Sequence, residues 1–336
     1  MSIESTLNVG RIGSTRPPEP ASIEYTPPAT IEEAREAKYI GFLHRHPFAT
    51  DAYELGFVTG VREDYELQTD NLQNVNLPVL MLDNDYRDAD VERYIQSFRT
   101  YEPEIGVLGD AYTKEEAIEY NELARELKDE FDTEIIVVPK CREAIEALDQ
   151  DIVLGYAMGY SDIHATDFSD VAEWRGRRVH LLGASPPKQW KVIQQLTQPT
   201  ISGDPPADIV GADWNGIQKI AYKGEYWTRD GWESADRFSI RETVQKGLQE
   251  IKKFWQERGV WPEENLVDEY DPAVMEPDEL IFADNGSHIT QQETLEDTIV
   301  VEYECEKTGA YSSEIQRKFI EYREGLTPSN RPLWFC

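Results

Sequence analysis

Short apolar runs alternate with amphipathic helical segments along the chain, and this alternation limits the fold more than any other sequence feature. Each run is rich in Val, Ile and Leu, as strands buried on both faces are. Strands that alternate with helices are parallel and are joined by right-handed crossovers. The pattern predicts seven strands: Tyr39–Leu43, Leu77–Leu82, Ile105–Leu108, Glu134–Val138, Ile152–Ala157, Arg178–Leu182 and Asp208–Ala212.

Polar or glycine residues follow strand after strand, which favours a closed barrel over an open sheet. An open sheet concentrates such residues near one switch point, whereas a barrel distributes them around its carboxyl-terminal rim. We therefore predict an α/β fold, a TIM-type (β/α)8 barrel with a C-terminal appendage that carries the eighth strand. The strand-end residues are Asp83, Asp110, Gly159, Gly183 and Asp213, and the predicted helices are Ile31–Lys38, Asp90–Thr100, Lys114–Phe131, Arg142–Leu148 and Lys188–Leu196.

Three parts are expected along the chain. Residues 1–30 are predicted to be a flexible Pro-rich arm, residues 31–226 the catalytic barrel, and residues 227–336 a helical and mixed appendage packed on the barrel. Within the appendage the pattern predicts a long amphipathic helix, a β-like run and a final helix, at Ser239–Arg258, Thr298–Glu304 and Ser313–Gly325.

The composition is that of an acidic protein. Asp and Glu number 65 against 33 Lys and Arg, a formal charge of −32, yet 8 Trp, 17 Tyr and 11 Phe can fill a core. We interpret the surface as that of a halophile, on which molar salt screens the self-repulsion. The three cysteines fit no disulfide framework, and no apolar run is long enough for a membrane span. These features predict a cytoplasmic protein of a halophilic archaeon or of a virus-infected host cell, with no membrane partner.

Four carboxylates at strand ends are candidates for catalysis: Asp83, Asp85, Asp110 and Asp213. In a barrel they would face one rim, where closely spaced charges and partial burial push pKa values apart and suit general acid-base or nucleophilic chemistry. The alternative interpretation is that each caps the helix that follows it.

Two glycine-containing strand ends, GYAMGYSD and LLGASPPKQ, would let a flat or anionic ligand approach the backbone. The second is either a phosphate nest or a tight turn with Pro186 and Pro187 set for a helix start. Two histidines, His44 and His46, find no third metal ligand at useful spacing, and His180 is interpreted as a core residue.

The ordered strand ends LDNDY, GVLGDAYT, GYAMGYSD, RVHLLGAS and ADIVGADWNG together resemble the tRNA-guanine transglycosylase superfamily. The closest resemblance is to phage- and virus-type members that place 7-deazaguanines in DNA, and it covers roughly residues 77–226. It implies base exchange, in which an Asp attacks the sugar, guanine leaves, and a 7-deazaguanine displaces the Asp.

The resemblance implies a role for each site residue. Asp213 corresponds to the nucleophile and Asp83 to the acid-base partner, a role for which Asp85 is the alternative. Asp110 would bind the N1 and exocyclic amine edge of guanine, as a carboxylate that accepts two N–H donors can. The remaining predicted substrate-binding residues are Asp85, Gly159, Tyr160, Leu182 and Gly183. The N–H groups of Gly159 and Tyr160 would bind O6, and Leu182 and Gly183 would lie under the ring.

The chain departs from that superfamily at two places. Where the family has a Gln before the GYA motif, this sequence has IIVVPK, so that Lys140 or a backbone group would substitute. The family's zinc cluster has no counterpart, because Cys305 and Cys336 stand without the other ligands, and we expect no metal and no other cofactor. For phosphate contacts we predict Arg177, Arg178, Lys188 and Lys219.

The sequence thus predicts a base-exchange glycosyltransferase whose partners are DNA and a 7-deazaguanine base. Three alternatives remain: a tRNA substrate, a catalytically degenerate barrel that binds nucleic acid or a partner protein, and a phosphate-binding barrel enzyme of small-molecule metabolism. Whether the chain forms a homodimer is left open.

Overall fold

Eight short parallel strands pair in chain order and close into a barrel. The computed structural model describes residues 25–64, 72, 77–159, 161–201, 203–235, 237–264 and 266–269, with the backbone of 283–284 and 287–288. The predicted TIM-type (β/α)8 barrel is therefore confirmed. The strands are β1 Tyr39–Leu43, β2 Val58–Arg62, β3 Met81–Asp83, β4 Ile105–Ala111, β5 Glu134–Pro139, β6 Val153–Ala157, β7 Arg178–Leu182 and β8 Asp208–Asp213.

Helices surround the barrel, and several begin with side-chain caps encoded in the sequence. Thr113 and Glu116 form a capping box at the start of α4, as Ser239 and Glu242 do at the start of α9. The helices are α1 Ile31–Arg35, α2 Phe48–Glu54, α3 Val91–Tyr101, α4 Lys114–Glu130, α5 Arg142–Ala147, α6 Ala165–Phe168, α7 Pro186–Thr197, α8 Gly216–Ala221 and α9 Ile240–Gln256, with 3-10 turns at Val171–Trp174 and Leu266–Glu269.

The eighth strand is β2, and its assignment to the appendage was wrong. Val58–Arg62 reads VTGVR, which lacks the Val, Ile and Leu run that marks the other strands. Gly60 is required there because a Cβ would lie 2.1 Å from the carbonyl oxygen of Met81 on the neighbouring strand. Because the backbones of β2 and β3 approach closely at Gly60, the strand has a glycine in the middle of its apolar residues and could not be recognised by an apolar run.

The helix that follows β8 in the barrel ring is α9, which the sequence analysis had placed in the appendage. It contacts α2 and α7, the helices that follow β1 and β7. Leu248, Ile251 and Trp255 line a small cavity together with residues of β1 and β8. The predicted boundary at residue 226 would therefore separate α9 from the barrel against which it packs.

A hairpin interrupts the chain between β8 and α9. Its strands are β9 Glu225–Thr228 and β10 Gly231–Ser234, which pair antiparallel. Further on, Ala283–Asp284 (β11) and Ser287–His288 (β12) pair antiparallel as well. The predicted elements Thr298–Glu304 and Ser313–Gly325, Cys305, Cys336 and most of the Pro-rich arm lie outside the described residues.

Arg177 and Arg178 bond to protein groups at the amino-terminal end of the barrel. Arg178, the first residue of β7, bonds both carboxylate oxygens of Glu134, the first residue of β5, at 2.6 and 2.8 Å. Arg177 donates to three carbonyl groups, at 2.6–3.0 Å, of residues 145, 148 and 149. Burial alone would raise the pKa of Glu134, but Arg178 and Lys38 override it and bring that pKa to about 2.

This placement corrects the prediction of phosphate contacts for Arg177 and Arg178. Both residues are buried, 6% and 8% exposed, and both are engaged by protein groups. Arg178 starts β7 and Arg177 directly precedes it, so both lie at the end of the barrel opposite to the carboxyl-terminal rim. Their role is structural.

We expect Arg178→Met to lower the free energy of unfolding by about 3 kcal/mol, because it leaves Glu134 mostly buried without its main partner. The matched control is Lys38→Met, which removes a second cation from the same carboxylate at 2.8 Å. Lys38 is 55% exposed, so its loss should cost less than about 1 kcal/mol. Urea unfolding at constant high KCl measures both, and equal small losses would contradict the structural role.

Candidate functional site

The carboxyl ends of the barrel strands bring ionisable side chains to one rim. Asp83 ends β3, Asp213 ends β8, Asp110 lies near the end of β4, and Lys140 directly follows β5. All eight strands are parallel in a closed barrel, so these ends face the same side. The charges of Asp213 and Asp110 both act on Asp83, which makes the three predicted carboxylates neighbours.

Asp213 is held in place through one of its two carboxylate oxygens. Its Oδ1 lies 3.2 Å from Nε2 of His180 and accepts a hydrogen bond of 3.3 Å from the backbone N–H of Gly183. His180 in turn contacts the hydroxyl of Tyr39 at 2.9 Å through Nδ1. The side chain of Asp213 is only 11% exposed, so these contacts are shielded from water.

Gln189 in α7 fixes the strand ends around this carboxylate. Its Nε2 donates to the carbonyl groups of Gly183 at 2.9 Å and Asp213 at 2.8 Å. The side chain is buried, and the two bonds tie the ends of β7 and β8 to one amide. Gly183 has a φ of +69°, which favours glycine, and a Cβ on it would lie 3.1 Å from Cα of Gly159, so the two backbones approach closely.

Asp83 has the chemistry of a general acid. Burial raises its pKa first, the charge of Asp213 raises it further, and together they bring it to about 7 despite the opposing charge of Arg62. A carboxyl group with such a pKa exchanges its proton near neutral pH. The backbone N–H of Asn84 bonds its Oδ1 at 3.0 Å.

Asp110 and Lys140 form an ion pair across the ends of β4 and β5, with 3.0 Å between Nζ and Oδ2. The side chain of Lys140 is 2% exposed, and it also contacts Ser161 and Asp162. Burial raises the pKa of Asp110 above its ordinary value, although Lys140 opposes that shift. The Tyr112 hydroxyl lies 3.1 Å from Oδ2 of Asp162 and 3.4 Å from Oδ2 of Asp110, and among the described residues none bonds Oδ1 of Asp110.

The carboxylate and the backbone N–H of Asp85 make local contacts in the turn after β3. Its Oδ1 accepts the backbone N–H of Arg87 at 3.2 Å and lies 3.9 Å from Nε of Arg62. Its own N–H donates to Glu63 at 3.3 Å, and Glu63 is bound at 2.6 and 2.9 Å by Arg93. Asp85 therefore belongs to a turn stabilised by local bonds.

The remaining predicted residues also lie at this end of the barrel, with one undescribed. Leu182 is half-buried and stands in register with Asp213 across β7 and β8. Lys188 is exposed in the first turn of α7, and Lys219 is partly exposed in α8. Tyr160 lies outside the described residues.

The contacts that His180 makes with Tyr39 and Asp213 were not apparent from the sequence. The side chains of His180 and Tyr39 are fully buried, as expected for core residues, but each makes a polar contact on the path to Asp213. Their signal was available, since a buried polar side chain within an apolar strand needs a hydrogen-bond partner. The sequence did not show which partner that would be.

The described part of the chain shows neither a metal-binding cluster nor a membrane-spanning helix. No group of three or more His, Cys, Asp or Glu side chains within them is arranged to hold a metal ion. Over the same part of the chain, no helix combines the length and the apolar character that a bilayer crossing requires.

The sequence profile of a family of unknown function, DUF6610, matches residues 52–256, more than half of the chain. The chain belongs to DUF6610. The DUF6610 region runs from α2 to the end of α9, and it includes Asp83, Asp110, Lys140, His180 and Asp213.

Comparisons with individual proteins add little to the DUF6610 assignment. No curated protein sequence matches the chain. Among solved structures, the crystal structure of the YdjI aldolase from Escherichia coli K12 matches with 12% identity and a TM-score of 0.41, covering 67% of this chain and 91% of the aldolase. At this similarity no property of the aldolase carries over to the DUF6610 chain.

We expect the stability of the protein to decrease as pH rises from about 4 to about 7, because Asp83 stays protonated in the folded state while it ionises in the unfolded state. Asp83→Asn removes this dependence. Relative to wild type, the variant should gain about 2 kcal/mol between pH 4 and pH 8, a value discounted from roughly 1.4 kcal/mol per pKa unit because the residue is partly exposed.

The measurement is urea unfolding at several pH values, with Asp129→Asn as the control. Asp129 is exposed on α4 and far from the rim, so its substitution should leave the pH dependence of wild type unchanged. Parallel pH curves for wild type and Asp83→Asn would contradict the raised pKa.

Proposed function

We propose that this DUF6610 protein is a base-exchange glycosyltransferase that replaces guanine in DNA with a 7-deazaguanine through a covalent Asp213 intermediate. One observation carries the proposal: Asp83, with a pKa of about 7, ends a strand at the same rim as Asp213, whose charge acts on it and whose Oδ1 is held by His180 and Gly183. A carboxylate nucleophile beside a carboxylic acid is the pair that such a reaction needs.

The two carboxyl groups divide the reaction into two displacements. In the first, an oxygen of Asp213 bonds the anomeric carbon as the bond to guanine breaks, and Asp83 gives its proton to the departing base. In the second, the incoming base bonds the same carbon, Asp83 takes the proton from that base, and Asp213 leaves as a carboxylate. The enzyme returns to its starting state, so no co-reactant is consumed.

Asp110 and Lys140 are suited to hold the base. Oδ1 of Asp110 can accept from the N1 and amine edge of guanine, while Lys140 binds Oδ2. The Nζ of Lys140 lies 3.0 Å from that carboxylate, and the side chain is 2% exposed. It stands where the transglycosylase superfamily has a Gln, and this supports a base-binding role with altered specificity.

Phosphate contacts are proposed for Lys188 and Lys219, which lie near the rim. The overall charge of −32 opposes polyanion binding, so affinity has to come from a few local cations and from the base itself. A base inside a duplex would also have to be flipped out to reach Asp213.

Two of the alternatives are less well supported. A phosphate-binding enzyme would use the N–H groups at the start of α7, but Pro186 and Pro187 carry none, and the N–H of Gly183 bonds Asp213. A degenerate barrel that binds without catalysis would not need a buried acid with a pKa of about 7 beside a second carboxylate.

We expect wild type to incorporate labelled guanine, or 7-cyano-7-deazaguanine, into duplex DNA at high KCl, and Asp213→Asn to incorporate none. Asp83→Asn should lower kcat by about 100-fold or more, because general acid-base catalysis contributes that much. The matched control is Asp85→Asn, two residues away, which should lower kcat by less than about tenfold.

The covalent intermediate provides a second measurement. DNA incubated with the enzyme without an incoming base should give an adduct that survives denaturation, and its mass should map to the peptide containing Asp213. Exchange that persists in Asp213→Asn would contradict the assigned nucleophile. A folded wild type that exchanges no base in DNA or tRNA would contradict the proposed function, while incorporation only into tRNA would change the substrate.

A further inference from the structure

Asp213 stands at the end of a buried chain of polar contacts that neither acid-base catalysis nor base binding uses. Tyr39 and His180 are both 0% exposed, and they link β1, β7 and β8 inside the barrel. The contacts measure 2.9 Å between the Tyr39 hydroxyl and Nδ1 of His180, and 3.2 Å between Nε2 of His180 and Oδ1 of Asp213.

The chemistry of Tyr39 sets the direction of these hydrogen bonds. Burial raises the pKa of its hydroxyl well above the ordinary value, and the charges of Glu134 and Asp213 raise it further, so the hydroxyl keeps its proton. Across the described residues, Nδ1 of His180 is its only acceptor. The O–H therefore donates to Nδ1, the imidazole proton lies on Nε2, and this N–H donates to Asp213.

Gly211 of β8 makes room for the two rings. A Cβ at this position would lie 2.4 Å from Cε2 of Tyr39 and 2.8 Å from Nδ1 of His180. The rings are stacked, with centroids 5.5 Å apart and planes 24° apart. The strand register brings Gly211 opposite both Tyr39 and His180, so three strands cooperate to hold one imidazole in one orientation.

We infer that Tyr39 and His180 are positioning residues that bind Oδ1 of Asp213 and thereby make Oδ2 the oxygen that attacks the sugar. This inference rests on the proposed function and adds the atom at which the covalent bond forms. Oδ1 keeps its two donors, His180 and the N–H of Gly183, when Oδ2 becomes an ester oxygen. When the incoming base breaks that ester bond, the returning negative charge meets N–H donors that are already in place.

His180 is not itself a general base for the substrate. Its ring is fully buried beneath Asp213, and both of its nitrogens are engaged by protein groups. A base has to lie within hydrogen-bond reach of the proton that it removes. The imidazole therefore acts through the carboxylate.

The first test reads the tautomer directly and needs no activity. Long-range ¹H–¹⁵N spectra of protein labelled with ¹⁵N-histidine should show, among 5 histidines, a neutral ring whose Nδ1 is the unprotonated nitrogen, and this signal should disappear in His180→Gln. Tyr39→Phe should shift the ring toward the other tautomer, because Nδ1 loses its donor. A proton on Nδ1 of the wild-type ring, alone or in an imidazolium, would overturn the inference.

The second test measures the rate of covalent adduct formation in single turnovers, together with KM and kcat. Tyr39→Phe should lower the rate and kcat by about tenfold with KM unchanged, because the bonds act on Asp213 and not on the substrate. His180→Gln retains an amide donor and should lose about tenfold, whereas His180→Leu should lose about 100-fold or more. Equal losses in the Gln and Leu variants would overturn the inference.

The control is Thr197→Val, which removes a buried hydroxyl from the last residue of the barrel helix α7. Thr197 is 0% exposed and donates to the carbonyl group of Ile193 at 2.8 Å. Its adduct rate should equal that of wild type, and a loss as large as that of Tyr39→Phe would reduce the effect to general destabilisation. Wild type without any exchange overturns the proposed function, whereas normal exchange with an Nδ1-protonated ring overturns this inference alone.

Discussion

Closure of the barrel between β8 and β1 is the constraint on which the site depends. In this pairing Tyr39 stands opposite Gly211, and Gly41 stands opposite Asp213. A register shifted by one residue would reverse the faces of the side chains, so that the hydroxyl of Tyr39 and the carboxylate of Asp213 would no longer share the interior. The strand pairing that closes the barrel therefore also sets the contacts of Asp213.

The electrostatics of the rim follow from the different partners of similar carboxyl groups. Asp213 has two N–H donors on one oxygen, Asp110 has the ammonium of Lys140, and Asp83 has Arg62 and one backbone N–H against the charges of its neighbours. Burial and the charge of Asp213 bring the pKa of Asp83 to about 7. Three carboxyl groups of nearly identical chemistry thus have three different environments at one rim.

The sequence was informative where burial on both faces produced continuous apolar runs, and it predicted seven of the strands and the barrel itself. It failed at β2, where Gly60 admits a neighbouring backbone, and at α9, which the hairpin separates from its barrel strand. Asp83, Asp110 and Asp213 could be placed at one rim because parallel strands end together. Tyr39 and His180 are 141 residues apart, and only the closing register shows that they meet.

The two kinds of charge in this molecule respond differently to salt. Mobile ions screen charges that face water, such as the acidic surface, but they act weakly on pairs that water does not reach. Arg178 with Glu134 at one end and Lys140 with Asp110 at the other are largely of the second kind. Concentrated salt should therefore reduce the repulsion among surface carboxylates and leave both internal pairs intact. High ionic strength, which weakens exposed salt bridges, should thus stabilise this fold.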